Sequence, residues 1–193
     1  LGPQWVTYYV VGTMLLYRTR HLVAKLTAVF SPRMVQDCAR EDWSSLRRHF
    51  RGGNNLAMVF GILIFVGMIG FGREFIILWM GPRFEISYPI LTIYASSSLV
   101  AVAFSLVGPI YSGLHRVRLS ASLVLLEGLA NLCLTLILVL GFGLGLVGVA
   151  WGTFFPRIIF SVLVGLIAMR WIGMAPGHFF REVAGRWLLL ATL

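Results

Sequence analysis

Long uncharged, apolar stretches are the feature that most constrains how this chain can fold. Residues 86–114 contain no Asp, Glu, Lys or Arg, and 59% of the 193 residues are hydrophobic whereas 12% are charged. A soluble core of this size does not need so much apolar sequence, while about 20 apolar residues suffice for a helix to cross roughly 30 Å of hydrocarbon. Since the backbone must satisfy its own hydrogen bonds there, the sequence predicts an all-α, polytopic transmembrane helical bundle.

Charge-poor windows of about 20 residues predict where the spans lie. The polar segment after the first window contains a candidate interfacial helix over residues 43–51, with Asp42 as its N-cap and Gly52 as its C-terminal stop. We expect one transmembrane domain over residues 1–193, incomplete at both ends. The predicted spans are residues 4–30, 54–72, 88–114, 119–140, 147–169 and a truncated sixth at 187–193.

The basic residues predict the orientation of these spans. Ten arginines follow the first, third and fifth spans, and two follow the second and fourth. Because cytoplasmic segments carry the excess of Lys and Arg, the odd-numbered connections are predicted to be cytoplasmic. The formal charge of +9 is scattered over these segments and forms no stripe with aromatic residues, so membrane lipids are expected partners and nucleic acid is not.

Four basic residues interrupt the first predicted span: Arg18, Arg20, His21 and Lys25. The apolar run at residues 5–17 is too short to cross the bilayer, so the span is expected to continue through these charges. Charges at this depth usually face a partner or a water-filled cavity. At about 100° per residue, Arg18, His21 and Lys25 share one helix face, and Arg20 points nearly the other way. Alternatively, Lys25 reaches the cytoplasmic surface and Arg20 pairs with an acidic residue in an absent lobe of the protein.

A second set of intramembrane polar residues is Glu127 in the fourth span and Arg157 in the fifth. Counted from the cytoplasmic ends of their spans, these residues lie at depths of roughly 12 and 18 Å, so they can meet across antiparallel neighbours. An interhelical ion pair assisted by Asn131 is the favoured interpretation. Coupling of transport to a proton or Na⁺ held by Glu127, lipid-headgroup contact, or a cavity-facing Arg157 are the alternatives.

Five segments resemble, in the same order, parts of the bacterial oligosaccharide and polysaccharide flippases of the multidrug/oligosaccharidyl-lipid/polysaccharide exporter superfamily. The most specific, EGLANLCLTLILVLGFGLGLVGVAWGTFFPRII at residues 127–159, is similar to an Asn-bearing helix, a Gly-rich turn and a following "GvaxGTxxP" helix start. The others are LGPQWVTYYVV, FSPRMVQDCARED, FIILWMGPRF and YSGLHRVRL.

This resemblance implies most of the C-terminal lobe of a two-lobed, alternating-access secondary transporter, with the missing N-terminal lobe as its partner. It further implies that basic side chains of the first span receive the diphosphate of a lipid-linked oligosaccharide. The expected substrate-binding residues are therefore Arg18, His21, Lys25 and Arg20. Arg suits phosphate because its planar fork donates two hydrogen bonds at once, and Lys adds a mobile point charge.

The predicted function is translocation of a polyprenyl-diphosphate-linked oligosaccharide across the bacterial plasma membrane, for surface polysaccharide biosynthesis. The alternative is a cation-coupled multidrug exporter of the same fold, whose cavity should favour acidic and aromatic residues. A membrane-embedded lipid-linked sugar transferase is less favoured, because the acidic residues form no intramembrane cluster suited to Mg²⁺ or acid/base catalysis. No enzymatic activity, catalytic residue, metal site or cofactor is expected.

Overall fold

The computed structural model describes residues 3–175, 177 and 179, and it confirms the predicted all-α helical bundle. Short turns join the helices, with a 3₁₀ helix at Pro82–Ser87 before the fourth helix and a π-helical turn at Ile137–Gly141 after the sixth. The α-helices are α1 Pro3–Thr27, α2 Phe30–Ala39, α3 Trp43–Met80, α4 Tyr88–Val102, α5 Val107–Gly113, α6 Val117–Leu136 and α7 Gly145–Trp171. The predicted sixth span, residues 187–193, lies outside the described residues.

Three helices of the described chain are long and apolar enough to cross a membrane: α3, α6 with its π-helical turn, and α7. The segment from the 3₁₀ helix through α4, taken together with α5, becomes a fourth candidate if the bent pair forms one span. Helix α1 is not among these candidates, although its 25 residues run uninterrupted through all four basic positions. At about 1.5 Å per residue it is long enough to cross, and its crossing stays a prediction.

The interfacial helix predicted over residues 43–51 is not a separate element, and the predicted stop at Gly52 is wrong. Those residues form the beginning of α3, which continues for 38 residues. The neighbouring Gly53 allows close packing: a Cβ atom there would lie 2.8 Å from the Phe30 ring and would also collide with Leu106. The predicted N-cap is confirmed, since the Asp42 carboxylate accepts a hydrogen bond from the Ser45 amide.

The single span predicted over residues 88–114 is divided in the structure. Helix α4 ends at Val102, α5 begins at Val107, and the two segments meet at a bend of 48°. A break in a helix frees backbone groups that need other partners. Buried Asn54 of α3 supplies one, because its side-chain amide donates to the Ala103 carbonyl.

The polar segment before α3, predicted to be cytoplasmic, contains the short helix α2. Its Asp37, expected in a surface segment, is buried, and Oδ2 of its carboxylate lies 2.6 Å from His49 Nδ1 of α3. Helix α2 also packs on α5, where a Cβ at Gly113 would approach Cys38 Cβ to 2.7 Å. These contacts hold α2 against α3 and α5 at the predicted cytoplasmic end of the bundle.

Helix α7 approaches two partners through glycines. A Cβ at Gly152 would lie 2.8 Å from Thr135 Cα of α6, and a Cβ at Gly165 would collide with the Phe104 ring beside the α4–α5 break. Helix α4 packs against α1, α3 and α7. This arrangement leaves a space between α1, α4, α6 and α7, which contains the charged residues of interest.

Candidate functional site

A cavity of about 670 Å³ lies between α1, α4, α6 and α7. On the first helix its lining begins at Tyr17 and continues to Ser31 at the start of α2. This is about 20 Å of helix axis at 1.5 Å per residue. The residues around the α4–α5 break, from Ala101 to Leu106, also line the cavity. Irregular backbone at membrane depth is tolerated where it borders such a space.

Four ionisable side chains line this cavity: Arg20 and His21 of α1, Glu127 of α6 and Arg157 of α7. Arg157 Nη1 lies 3.6 Å from Glu127 Oε1, and both side chains are about one quarter exposed, at 25% and 26%. Arg20 is close enough to act electrostatically on the same carboxylate. The lining therefore holds two guanidinium groups and one carboxylate, which leaves this part of the cavity positively charged even with His21 neutral.

The contact between Arg157 and Glu127 is loose. Its 3.6 Å length exceeds the 2.7–3.2 Å typical of an N–H···O hydrogen bond. Within the part of the chain that the structure describes, Arg157 Nε is buried and has no hydrogen-bond partner. The contact with Glu127 thus does not satisfy the Arg157 guanidinium.

The predicted substrate-binding residues divide into two pairs. Arg20 and His21 line the cavity, whereas Arg18 and Lys25 are exposed and are not among its lining residues. The cavity-facing stripe of α1 passes through Tyr17, Arg20, His21, Ala24 and Thr27. It differs from the predicted face, which grouped His21 with Arg18 and Lys25 and turned Arg20 away. A substrate-binding role for all four residues stays a prediction.

A smaller polar chamber of about 120 Å³ adjoins the cavity on its predicted external side. Both spaces share Tyr17, Arg20, Ser98 and Arg157 in their linings. The chamber's further lining residues are Tyr9, Thr13 and Leu16 of α1, Tyr94 of α4, Asn131 of α6 and Thr153 of α7. All but Leu16 of these carry a hydroxyl or an amide.

Hydrogen bonds across the chamber connect four helices. The Tyr94 hydroxyl donates to Thr153 Oγ1 at 2.9 Å, and Thr153 donates to the Val149 carbonyl at 3.2 Å. The Tyr9 and Tyr94 hydroxyl oxygens are 2.6 Å apart. Because the single Tyr94 proton is already donated to Thr153, Tyr9 is the donor of that bond. The donor order is therefore Tyr9, Tyr94, Thr153, Val149.

Asn131 belongs to this network. Its amide donates to Thr153 Oγ1 at 3.1 Å, and its carbonyl oxygen accepts from Thr135 at 3.2 Å. These contacts differ from the predicted assistance to the Glu127–Arg157 pair, which lies in the neighbouring cavity. Sequence reasoning missed Tyr9, Tyr94 and Thr153, whose only sequence signal is a polar group in an apolar helix.

The charged cavity suits an oxyanion better than a metal ion. The described residues contain no group of three or more His, Cys, Asp or Glu side chains able to hold a metal. Guanidinium groups at reduced dielectric bind phosphate strongly because each donates several charge-assisted hydrogen bonds.

The fold and the apolar helices define an all-α membrane protein, here with a charged cavity between four helices. Over 133 residues the chain is 26% identical to the uncharacterized membrane protein EpsK of Bacillus subtilis (strain 168). The match covers 67% of this chain and 26% of that protein, so the aligned region spans about a quarter of the relative's length. No protein-family model matches the chain, and no solved structure matches it significantly.

Proposed function

We propose that this chain is the cargo-binding part of a secondary-transporter-type flippase that moves a polyprenyl-diphosphate-linked oligosaccharide across the bacterial plasma membrane for surface polysaccharide biosynthesis. The observation that carries the proposal is a cavity between membrane helices whose lining holds two guanidinium groups, Arg20 and Arg157, and one carboxylate, Glu127, paired with Arg157. Holding such charges at membrane depth is costly unless they serve a pathway or a partner. The cavity volume of about 670 Å³ is within the range of ligand sites.

Arg20, His21 and Arg157 are the proposed diphosphate-binding residues. Each guanidinium can donate two parallel hydrogen bonds to one phosphoryl group, and a water-excluding cavity strengthens those bonds. We assign no catalytic residue, because the proposed cycle transfers the headgroup between leaflets and breaks no bond.

The chamber network supports alternating access. In α1, α6 and α7 the network residues lie on the predicted external side of the charged residue of the same helix, and the large cavity extends from the charges towards the predicted cytoplasmic side. The hydrogen bonds among Tyr9, Tyr94, Thr153 and Asn131 then close the external end of a cytoplasm-facing state. Opening that end requires these bonds to break.

The exposed face of α1 is the proposed contact with an N-terminal lobe. This face carries Arg18 and Lys25 together with the exposed apolar residues Val10, Met14 and Leu22. In a two-lobed transporter it would border the central space, where Arg18 and Lys25 would form a second cationic surface for the same headgroup. Their role rests on the resemblance described above.

A cation-coupled multidrug exporter is the second candidate. Glu127 and the aromatic lining residues Phe65, Phe104 and Phe160 favour it, since a carboxylate among aromatic rings attracts organic cations. The neighbouring guanidiniums weigh against it, because they neutralise that carboxylate. A preference for anionic over cationic cargo separates the two functions.

Translocation of a fluorescent polyprenyl-diphosphate-linked sugar in proteoliposomes tests the proposal. We expect Arg20→Gln and Arg157→Gln each to reduce the initial rate by at least about tenfold, which is roughly 1.4 kcal/mol of lost binding free energy. Arg73→Gln is the matched control, because Arg73 forms an exposed ion pair with Glu85 outside the cavity. Equal rates in all three correctly inserted variants would refute the site, and transport of a cationic dye in place of the lipid would favour the exporter.

A further inference from the structure

We propose that Glu127 is an internal competitor for the anionic cargo: its carboxylate stays paired with the Arg157 guanidinium until a phosphoryl group displaces it. The proposal rests on the proposed function. It gives Glu127 a specificity-determining role, which a member of a purely structural ion pair would not have.

The geometry of the pair is the first argument. A stabilising ion pair in a membrane usually has short, bidentate hydrogen bonds that satisfy the guanidinium. Here the Nη1–Oε1 distance is 3.6 Å, and Arg157 Nε is buried without a partner among the described residues. The carboxylate therefore neutralises Arg157 through a loose contact, which a phosphoryl group with short, charge-assisted hydrogen bonds can displace.

The position of the carboxylate is the second argument. Glu127 lines the cavity together with Arg20 and Arg157, and it is electrostatically coupled to Arg20 although these residues belong to different helices. An anion that bridges the two guanidiniums must approach this carboxylate. Like charges repel strongly at such distances in a low dielectric, so the anion and the carboxylate cannot both keep these partners.

Displacement also provides for release. A site with two unopposed guanidinium groups would hold a diphosphate tightly in both leaflet-facing states, and tight uniform binding slows turnover. A carboxylate that returns to the guanidiniums lowers the affinity and gives the cargo a competitor at the exit. We therefore expect Glu127 to lower the affinity of the site for the diphosphate rather than to raise it.

Titration of the purified protein with inorganic pyrophosphate tests this role. Glu127→Gln should tighten binding by about five- to tenfold, because it removes the competing charge of a partly buried ion pair while retaining the size of the side chain. In the translocation assay the same variant should lower both KM and kcat. Glu85→Gln is the matched control, because it removes the partner of Arg73 in an exposed pair and should leave binding unchanged.

The outcomes separate this inference from the proposed function. If Arg20→Gln and Arg157→Gln weaken pyrophosphate binding but Glu127→Gln leaves it unchanged or weakens it, the anion site stands and the competitor role is refuted. If neither the wild type nor Glu127→Gln binds pyrophosphate, both are refuted. Should Glu127→Gln fail to fold, Glu127→Asp is the second variant, because it keeps the charge but shortens the side chain by one methylene. A pyrophosphate affinity between that of the wild type and the value expected for Glu127→Gln supports competition. An affinity equal to that of the wild type opposes it.

Discussion

At the scale of single residues, the charges of α1 differ in what surrounds them. Arg20 and His21 face a cavity that also contains Glu127, whereas Arg18 and Lys25 are exposed on the helix. A guanidinium at membrane depth needs water, an anion or a carboxylate near it, and Arg20 shares its cavity with the Glu127 carboxylate. Nearby residues of one helix thus have different surroundings, and Arg20 is better placed than Arg18 or Lys25 to bind an anion within this bundle.

Asp42 gives a prediction about pH at the same scale. Hydrogen bonds from the Ser45 amide and the Ser44 hydroxyl lower the pKa of Asp42 below its ordinary value. A lowered folded-state pKa stabilises the fold above the ordinary carboxyl pKa of about 4, and this contribution is lost as the pH falls through the lowered folded-state pKa. We expect Asp42→Ala to reduce the melting temperature at pH 7 and to reduce it less as the medium is acidified, as measured by thermal unfolding in detergent.

Asp42→Asn is the control for this prediction. Asn is as good an N-cap as Asp but carries no charge, so Asp42→Asn should lower the melting temperature less than Asp42→Ala at every pH, while its difference from the wild type shrinks on acidification in the same way, because neither variant titrates at this position. A deficit of Asp42→Ala that is the same at pH 7 and in acid would contradict the assignment.

The sequence predicted that α1 carries intramembrane charges but not which of them face inward. Helical periodicity relates residues within one helix, and it correctly separates the direction of Arg18 from that of Arg20. It does not say which face the neighbouring helices cover, because apolar residues occur on both faces. That choice depends on contacts of α1 with α3 and α4, which are distant in sequence.

At the scale of elements, two predicted helix boundaries depended on glycine and on hydropathy. The glycine at residue 52 predicts a helix stop, yet α3 continues through it. The neighbouring Gly53 lets the side chains of Phe30 and Leu106 pack closely against the helix. The uncharged run over residues 88–114 contains Gly108 and Pro109, which permit a kink, but the chain bends before them, where the Asn54 amide reaches the Ala103 carbonyl. Both differences come from tertiary contacts that a local pattern does not contain.

The network between helices yields a prediction at this scale. Tyr94→Phe removes the hydrogen bond to Thr153 and the acceptor of the Tyr9 hydroxyl, so it should weaken the external closure by about 1–2 kcal/mol. In a variant with both native cysteines replaced, we expect Ser98→Cys to react several-fold faster with a membrane-impermeant thiol reagent from outside when Tyr94→Phe is also present.

Tyr88→Phe is the matched control for the closure. Tyr88 lies on the same helix, and its hydroxyl donates to the Ile69 carbonyl at 2.6 Å outside the chamber. Its removal should leave the external labelling rate at the wild-type value. Equal acceleration by both substitutions would show that general loosening of α4, and not the network, controls access.

At the scale of the whole molecule, the helices place groups of like chemistry in layers. The hydroxyl and amide network occupies one layer, the charges the next, and the large cavity follows towards the predicted cytoplasmic end. The hydropathy pattern predicted the all-α bundle because membrane insertion depends on local composition. The layers could not be predicted, since they require four helices to be in register, and a single sequence contains no information about that register.

The most direct test of the central claim is photo-crosslinking of the cargo from two positions of α7. A photoactivatable benzoylphenylalanine replaces Phe160, which lines the cavity, or Phe155, which is exposed and stacks on Trp151. With a radiolabelled polyprenyl-diphosphate-linked sugar in the membrane, we predict a crosslink at position 160 that excess unlabelled lipid removes and Arg157→Gln weakens. Crosslinking at position 155 that equals or exceeds the crosslinking at position 160 would contradict passage of the headgroup through the cavity.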